Sequence, residues 1–305
     1  MKAMGIDDVA KVIVILLVAS CTQKQPDPIP DIPSKTYQFL PENLTAYNED
    51  HTISARYVDP TLRYDHGVLG DKIEAGGLLV VKNNKEYYYR LDTNFVFEDL
   101  QPRLKDVDND GELEFITIQT SLQLGASVAV YKIIHDKLVP FVQSNYIGST
   151  HRWLNIAAID DLDHDGNTEI AWIQTPHIGG DLRIGRIEGN SLRILDELAG
   201  VSNHQNGSTN LCLSVVTNSI DHKRLYVPND PHDALIGFRF QDGHLIPQDT
   251  LLLNIDMNKP LFMQYDFLGA MEDRNCIFIP GRANGFNSDT YFSSNARGYT
   301  MLFSR

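Results

Sequence analysis

Apolar and polar positions alternate along this chain in short runs punctuated by Asn, Asp and Gly, the pattern of strands joined by tight turns rather than of helices. Four stretches read as hairpins: Leu78–Leu91 turning at Asn83-Asn84, Val128–Phe141, Leu182–Leu195, and Leu235–Pro247 turning at Asp242-Gly243. The last carries a strong two-residue hairpin signal. Two further runs, Glu114-Phe-Ile-Thr-Ile-Gln-Thr120 and Glu169-Ile-Ala-Trp-Ile-Gln-Thr175, have strand composition and match each other at an offset of 55 residues. The match extends to Lys132 on Arg186 and Leu138 on Leu192 in the hairpins that follow. A fifth unit is suggested by Cys276-Ile-Phe-Ile-Pro280, which parallels Arg224-Leu-Tyr-Val-Pro228, and by the closing run Tyr299–Phe303. A period of about 50 residues with about four short strands is the signature of a β-propeller, whereas a parallel solenoid repeats over fewer residues. The expected fold is all-β, a β-propeller of about five four-stranded blades, with six or seven as the alternative count. Thr36–Leu40 is expected to add a strand to the last blade and close the ring. Gly76-Gly77 and Gly179-Gly180 read as turn glycines before strands and do not open helices, which excludes a phosphate-cradling loop.

The matched strands are each preceded by an acidic loop, Asp106–Glu114 and Asp161–Glu169, with the common pattern D-x-D-x-D-G-x-x-E. Carboxylates at loop positions 1, 3, 5 and 9 with a turn glycine at 6 can surround one hard cation with oxygen, as Ca²⁺ requires. An EF-hand also needs a bidentate Glu at position 12, where this chain has Thr117 and Trp172, and it needs helices where this chain has strands. The later units lack the acidic pattern, with Asn218–Arg224 and Met271–Asn275 in its place.

Charge changes the picture in one respect. The formal net charge of -14 over 305 residues argues against nucleic-acid binding, which relies on clustered Lys and Arg. Eight of the acids are loop positions 1, 3, 5 and 9 in the two copies, so divalent ions at both would offset about four charges. The 42% hydrophobic content is ample for a packed core.

At the N-terminus, Val12–Ser20 is apolar but as a helix spans only about 14 Å, too short for a bilayer core of about 30 Å. It reads as a signal-peptide core over residues 1–21, and Val18-Ala-Ser-Cys21 looks like a bacterial lipobox with Cys21 as the lipidated residue. Asp7 and Asp8 weaken the positive charge expected before such a core. Residues 22–35 form a Pro-containing tether and 36–305 a single folded domain. The chain is thus expected to be exported and held at the cell envelope by a lipid, facing the periplasm or exterior. An oxidising compartment there would permit a disulfide between Cys212 and Cys276, the alternative being two small buried hydrophobes.

The acidic loops, with strand-rich flanks repeating about every 50 residues, resemble the FG-GAP/VCBS repeats of integrin-like β-propellers. The stretches Pro60–Asp71 and Thr175–Gly179 are similar to those of bacterial exported VCBS-repeat proteins. The resemblance implies Ca²⁺ ligands at Asp106, Asp108, Asp110 and Glu114 in one loop and Asp161, Asp163, Asp165 and Glu169 in the other. Glu112 and Asn167 would give backbone carbonyls.

Candidate chemistry beyond the loops is sparse. His66, His151, His177, His204 and His232 all fall in expected loops, and His66, Arg152, His177 and His204 form a candidate ligand face for an anionic group or a sugar, with Trp153 or Trp172 as a stacking platform. For each histidine singly, an exposed or backbone-bonded loop residue is the plainer reading. Trp172 reads as core. No G-x-S-x-G elbow and no H-E-x-x-H helix is present, so no catalytic residue is assigned. These features favour a monomeric, calcium-binding, non-enzymatic envelope propeller that binds a protein or glycan through loops on one face. The alternative is a propeller-fold hydrolase or polysaccharide lyase with its site in the central funnel.

Overall fold

The computed structural model describes residues 37–218 and 223–252, and three short strands at 261–264, 267–270 and 301–302. Among the described residues every regular element is a β-strand and every pairing is antiparallel. The first sheet holds β1 (Ala46–Tyr47), β2 (Ile53–Thr61), β3 (Glu74–Lys82), β4 (Lys85–Arg90), β5 (Phe95–Phe97), β6 (Arg103–Lys105), β7 (Glu114–Ser121), β8 (Gly125–Ile134) and β9 (Lys137–Gln143). The second runs β10 (Leu154–Asp160), β11 (Glu169–Gln174), β12 (Asp181–Glu188), β13 (Ser191–Ala199), in that spatial order. The third repeats it as β14 (Val215–Asn218), β15 (Lys223–Pro228), β16 (Ala234–Gln241) and β17 (His244–Leu252). A last sheet pairs β18 (Leu261–Gln264), β19 (Phe267–Ala270) and β20 (Met301–Leu302). The first sheet is two such meanders joined through β5, which pairs with β3 at Ala75–Phe97 and with β7 at Phe95–Ser121.

Turn chemistry sets the registers. Asn83 and Asn84, His135 and Asp136, and Asp242 and Gly243 all take positive φ, the two-residue hairpin conformation that matches strand twist. They fix Lys82 opposite Lys85, Ile134 opposite Lys137 and Gln241 opposite His244. The β8–β9, β12–β13 and β16–β17 hairpins then each shift register once, at Val130/Tyr131, Ile184/Gly185 and Gly237/Phe238, whereas β3–β4 keeps one register throughout, so the repeat extends to its bulges in three units.

Alternation along the inner strands places successive side chains in different cores. Ile116, Ile118, Ile170 and Trp172 join Trp153, Leu154 and Ile156 in one cluster. Phe115 instead packs with Tyr57, Leu78, Phe97 and Tyr131, while Ala171 and Ile173 pack with Leu225, Val227 and Phe238. The inner strands are therefore buried on both faces, β7 along its whole length, with Thr117, Gln119 and Thr120 interrupting its apolar positions and Ile170, Ala171, Trp172 and Ile173 of β11 apolar throughout. The outermost strand β17 is mostly exposed.

Some details differ from expectation. Gly76 and Gly77 lie inside β3 instead of in a turn, because a Cβ at Gly77 would sit 2.7 Å from the Tyr88 ring across the hairpin. Phe39 bridges to Val58, in the first sheet rather than the last. Cys212 is disulfide-bonded. Cys21, Cys276, the tether and most of the suggested fifth unit lie outside the described residues.

Candidate metal loops and a histidine cluster

The acidic loops follow one backbone path. Asn109 and Gly111 in the first, and His164 and Gly166 in the second, take positive φ at corresponding points. In each, the first aspartate accepts from the glycine N–H, Gly111 to Asp106 at 2.9 Å and Gly166 to Asp161 at 3.0 Å. The last glutamate reaches back to the amide at position 2, Val107 to Glu114 at 2.9 Å and Leu162 to Glu169 at 2.8 Å. Oxygens of Asp106, Asp108 and Glu114 thereby lie within 4.8 Å of one another, as do those of Asp161, Asp163 and Glu169. The loops also touch: Asn109 Nδ2 donates to Gly166 O at 2.9 Å, and Thr168 Oγ1 to Asp106 O at 3.2 Å. Glu112 turns its side chain to Lys82, and Asn167 turns its amide to Asp165 Oδ1 at 3.0 Å, so neither offers a side-chain ligand. Thr117 at position 12 donates to Ala129 O at 3.0 Å within the sheet.

A basic side chain enters each loop from the next strand. Lys132 Nζ lies 2.6 Å from Asp108, 2.6 Å from Asp110 and 2.9 Å from Glu114. Arg186, paired across the sheet with Glu169, donates from Nε to Glu169 at 2.7 Å and from Nη1 to Asp165 at 2.8 Å, with Nη2 3.5 Å from Asp163. Burial opposes the charge on both bases, but the carboxylates outweigh it and raise their pKa. Burial pushes Glu114 up, and it holds Glu169 at about 7 despite the Leu162 amide and Arg186. The donor set is hard oxygen throughout, Asp106 Oδ1 is buried without a hydrogen bond, and in the first loop a lysine stands where a cation would. These residues fit a Ca²⁺ ion in chemistry and spacing.

At the far ends of β3, β7 and β11 a second constellation forms from loops. Glu98, fully buried after β5, accepts from Thr120 Oγ1 at 2.8 Å, and its other oxygen meets His66 Nδ1 at 2.6 Å. Its backbone carbonyl takes the Trp153 indole N–H at 2.9 Å. His151 stacks on Tyr64 at 5.1 Å, sits 5.2 Å from the His66 ring, and accepts Arg152 Nη1 at its carbonyl. His177 stacks parallel to Trp153 and pairs its Nε2 with His204 Nδ1 at 2.8 Å, while His204 Nε2 meets Ser208 O at 2.9 Å. Because Ser208 O can only accept, His204 carries its proton on Nε2 and takes the His177 N–H on Nδ1. Burial depresses His177 to about 4 and His204 to about 3, so the pair is neutral at neutral pH. Glu74, buried and repelled by Glu98, is pushed up to about 9 and is protonated there.

The structure thus gathers His66, His177 and His204 around Trp153 and Glu98, while the Arg152 guanidinium turns to the carbonyl of its neighbour His151. Trp153 and Trp172 are both buried, so neither is an open stacking platform; Trp153 is covered by His177 and held by its own N–H. Trp172 belongs to the core, as expected. Sequence reasoning missed Glu98 and Glu74, whose only signal was an acid beside an apolar run. It aligned Lys132 with Arg186 without giving them a role.

No protein-family model matches the chain, and no curated protein matches it. Among solved structures it is similar to a rhamnogalacturonan lyase of Bacillus licheniformis, with 14% identity and a TM-score of 0.37 over 60% of this chain and 43% of that one. It is also similar to an endo-arabinase from Bacteroides thetaiotaomicron, with 12% identity and a TM-score of 0.36 over 77% of this chain and 92% of that one. The chain spans less than half the length of the lyase.

Proposed function

We propose that the chain is a β-propeller of the FG-GAP/VCBS type with about five blades, exported, anchored through Cys21, stabilised by Ca²⁺ at its acidic loops, and binding a protein or glycan without turnover. Asp106, Asp108, Asp110 and Glu114, with the Glu112 carbonyl, would hold the ion, and the second loop would use Asp161, Asp163, Asp165, Glu169 and the Asn167 carbonyl. The ion supplies neutralisation of a self-repelling carboxylate cluster. The observation that carries the reading is repetition: a four-stranded meander recurs with the same bulge, and two neighbouring copies open their second strand with the same acidic loop. The binding end is assigned to the His66, Arg152, His177 and His204 loops, which lie across the sheets from the acidic ones.

Melting in excess CaCl₂ and in chelator tests the ion. At about 100 times its dissociation constant, calcium would stabilise the fold by about 2.7 kcal/mol, and Asp106→Asn would reduce the effect. An unchanged midpoint on chelation would sink it. The enzymatic alternative is favoured by one observation, the His66–Glu98 pair, which is the arrangement an acid-base step requires. Turnover on a panel of glycans and esters, abolished in His66→Ala, would replace the binding reading; retention of glycans without products would support it.

A further inference from the structure

The two acidic loops share spacing, backbone path and an adjacent base, yet the bases engage them differently. Lys132 presents one nitrogen to Asp108, Asp110 and Glu114 at 2.6, 2.6 and 2.9 Å, and leaves buried Asp106 Oδ1 without a hydrogen bond. Arg186 lays a planar fork along Glu169, Asp165 and Asp163. Among the described residues no carboxylate oxygen of Asp161, Asp163, Asp165 or Glu169 is both buried and without a hydrogen bond. The first loop therefore keeps an acceptor that its base does not serve. The second has none.

We propose that Lys132 and Arg186 are tethered counter-cations standing in the place of a divalent ion, and that they divide the loops: Asp106–Glu114 exchanges its lysine for Ca²⁺, whereas Asp161–Glu169 is closed by its arginine. This rests on the calcium reading above and sharpens it from two sites to one. A lysine ammonium is a compact charge on a flexible stem, so it withdraws by rotating that stem. The face of Phe141, 5.2 Å from Nζ, gives the ammonium a partner that is not a ligand. Replacing one positive charge by two on the same oxygens, with Asp106 Oδ1 now coordinated, favours the exchange. Both bases would give up contacts to three carboxylates, one of them a fully buried glutamate, but those of the arginine are fixed in one rigid fork that cannot release them one at a time. The second loop is thus folded at any calcium level, and the first responds to it.

Charge-conserving exchanges at both positions, with one variant that removes the lysine charge, test this. The full chain, stripped with chelator and dialysed, is titrated with CaCl₂ in a calorimeter, with circular dichroism confirming each variant folded. The wild type is expected to take up one equivalent. Lys132→Arg should weaken that site at least tenfold, and Lys132→Met should tighten it at least tenfold. Arg186→Lys should create a second equivalent. Uptake of two equivalents by the wild type, or wild-type binding by both Lys132→Arg and Arg186→Lys, would overturn the proposal and leave the calcium reading standing. No uptake by the wild type or any variant would overturn both.

Discussion

His204 offers a measurable link between burial and pH. Its imidazole is fully buried, bonded to Ser208 O and His177, and depressed from 6.5 to about 3. Above pH 6.5 neither the folded nor the unfolded state holds the extra proton. Between there and about 3 the unfolded chain binds a proton that the folded chain refuses, so this contribution to stability is present above 6.5 and is lost as the solution is acidified. From pH 7 to pH 5 the loss is about 2 kcal/mol, and the figure changes little for any folded value below about 4. His204→Asn removes the titration and the bonds to Ser208 and His177. The lost bonds lower stability by about 1–2 kcal/mol at both pH values, so they cancel when the two are compared. Urea unfolding in chelator, followed by the fluorescence of buried Trp153 and Trp172, gives the stability at each pH. The expected result is that wild type loses about 2 kcal/mol more than His204→Asn on going from pH 7 to pH 5. Equal losses would refute the argument that His204 is held neutral by its surroundings.

Glu74 should show the opposite sign. Its folded value of about 9 lies above its ordinary 4.5, so its contribution is present at low pH and lost as pH rises toward 9. Glu74→Gln should therefore raise stability at pH 8 by about 1–3 kcal/mol and leave pH 4 stability nearly unchanged, as read by the same urea titrations. Gly180→Ala would place a Cβ 2.1 Å from Val201 O and 2.9 Å from Ile173, and should cost about 3 kcal/mol or prevent folding. Gly166→Ala, at φ +88° with open space around it, should cost only about 1 kcal/mol. Equal melting shifts for the two glycine variants would show that the close packing at Gly180 does not matter.

What was legible in the sequence was local. Asn83-Asn84 and Asp242-Gly243 announce their hairpins because the turn conformation is chosen by those residue types. The acid spacing announces its loops because alternate positions face one centre. Strand identity after the loops followed from composition, and β7 and β11 start at the acids themselves. The illegible parts depend on partners distant along the chain. Glu98 acquires its role from His66, Thr120 and Trp153, and no short window contains all four. Lys132 and Arg186 matter through cross-strand register, which a linear pattern does not supply. Gly77 was misread for the same reason, since what requires it is the ring of Tyr88 on the partner strand. Trp153 was misread as a platform because its neighbours His177 and His204 come from later loops.

The strands that join the two chemical ends set a division of labour. β7 leaves Glu114 beside the first acidic loop and reaches Ser121 about 23 Å away, and β11 likewise runs from Glu169 toward His177. A ligand resting on the histidine loops therefore cannot touch an ion in the acidic ones. The exposed tips of the histidine-end loops can vary while the opposite edge, where Asn109 bonds Gly166 and Thr168 bonds Asp106, keeps the neighbouring sheets stapled. Substitutions at the exposed tips 178–179 and 205–206 should alter the histidine-end surface without changing how the sheets are clasped, whereas Gly180, Ser202, Asn203 and His204 belong to the packing itself.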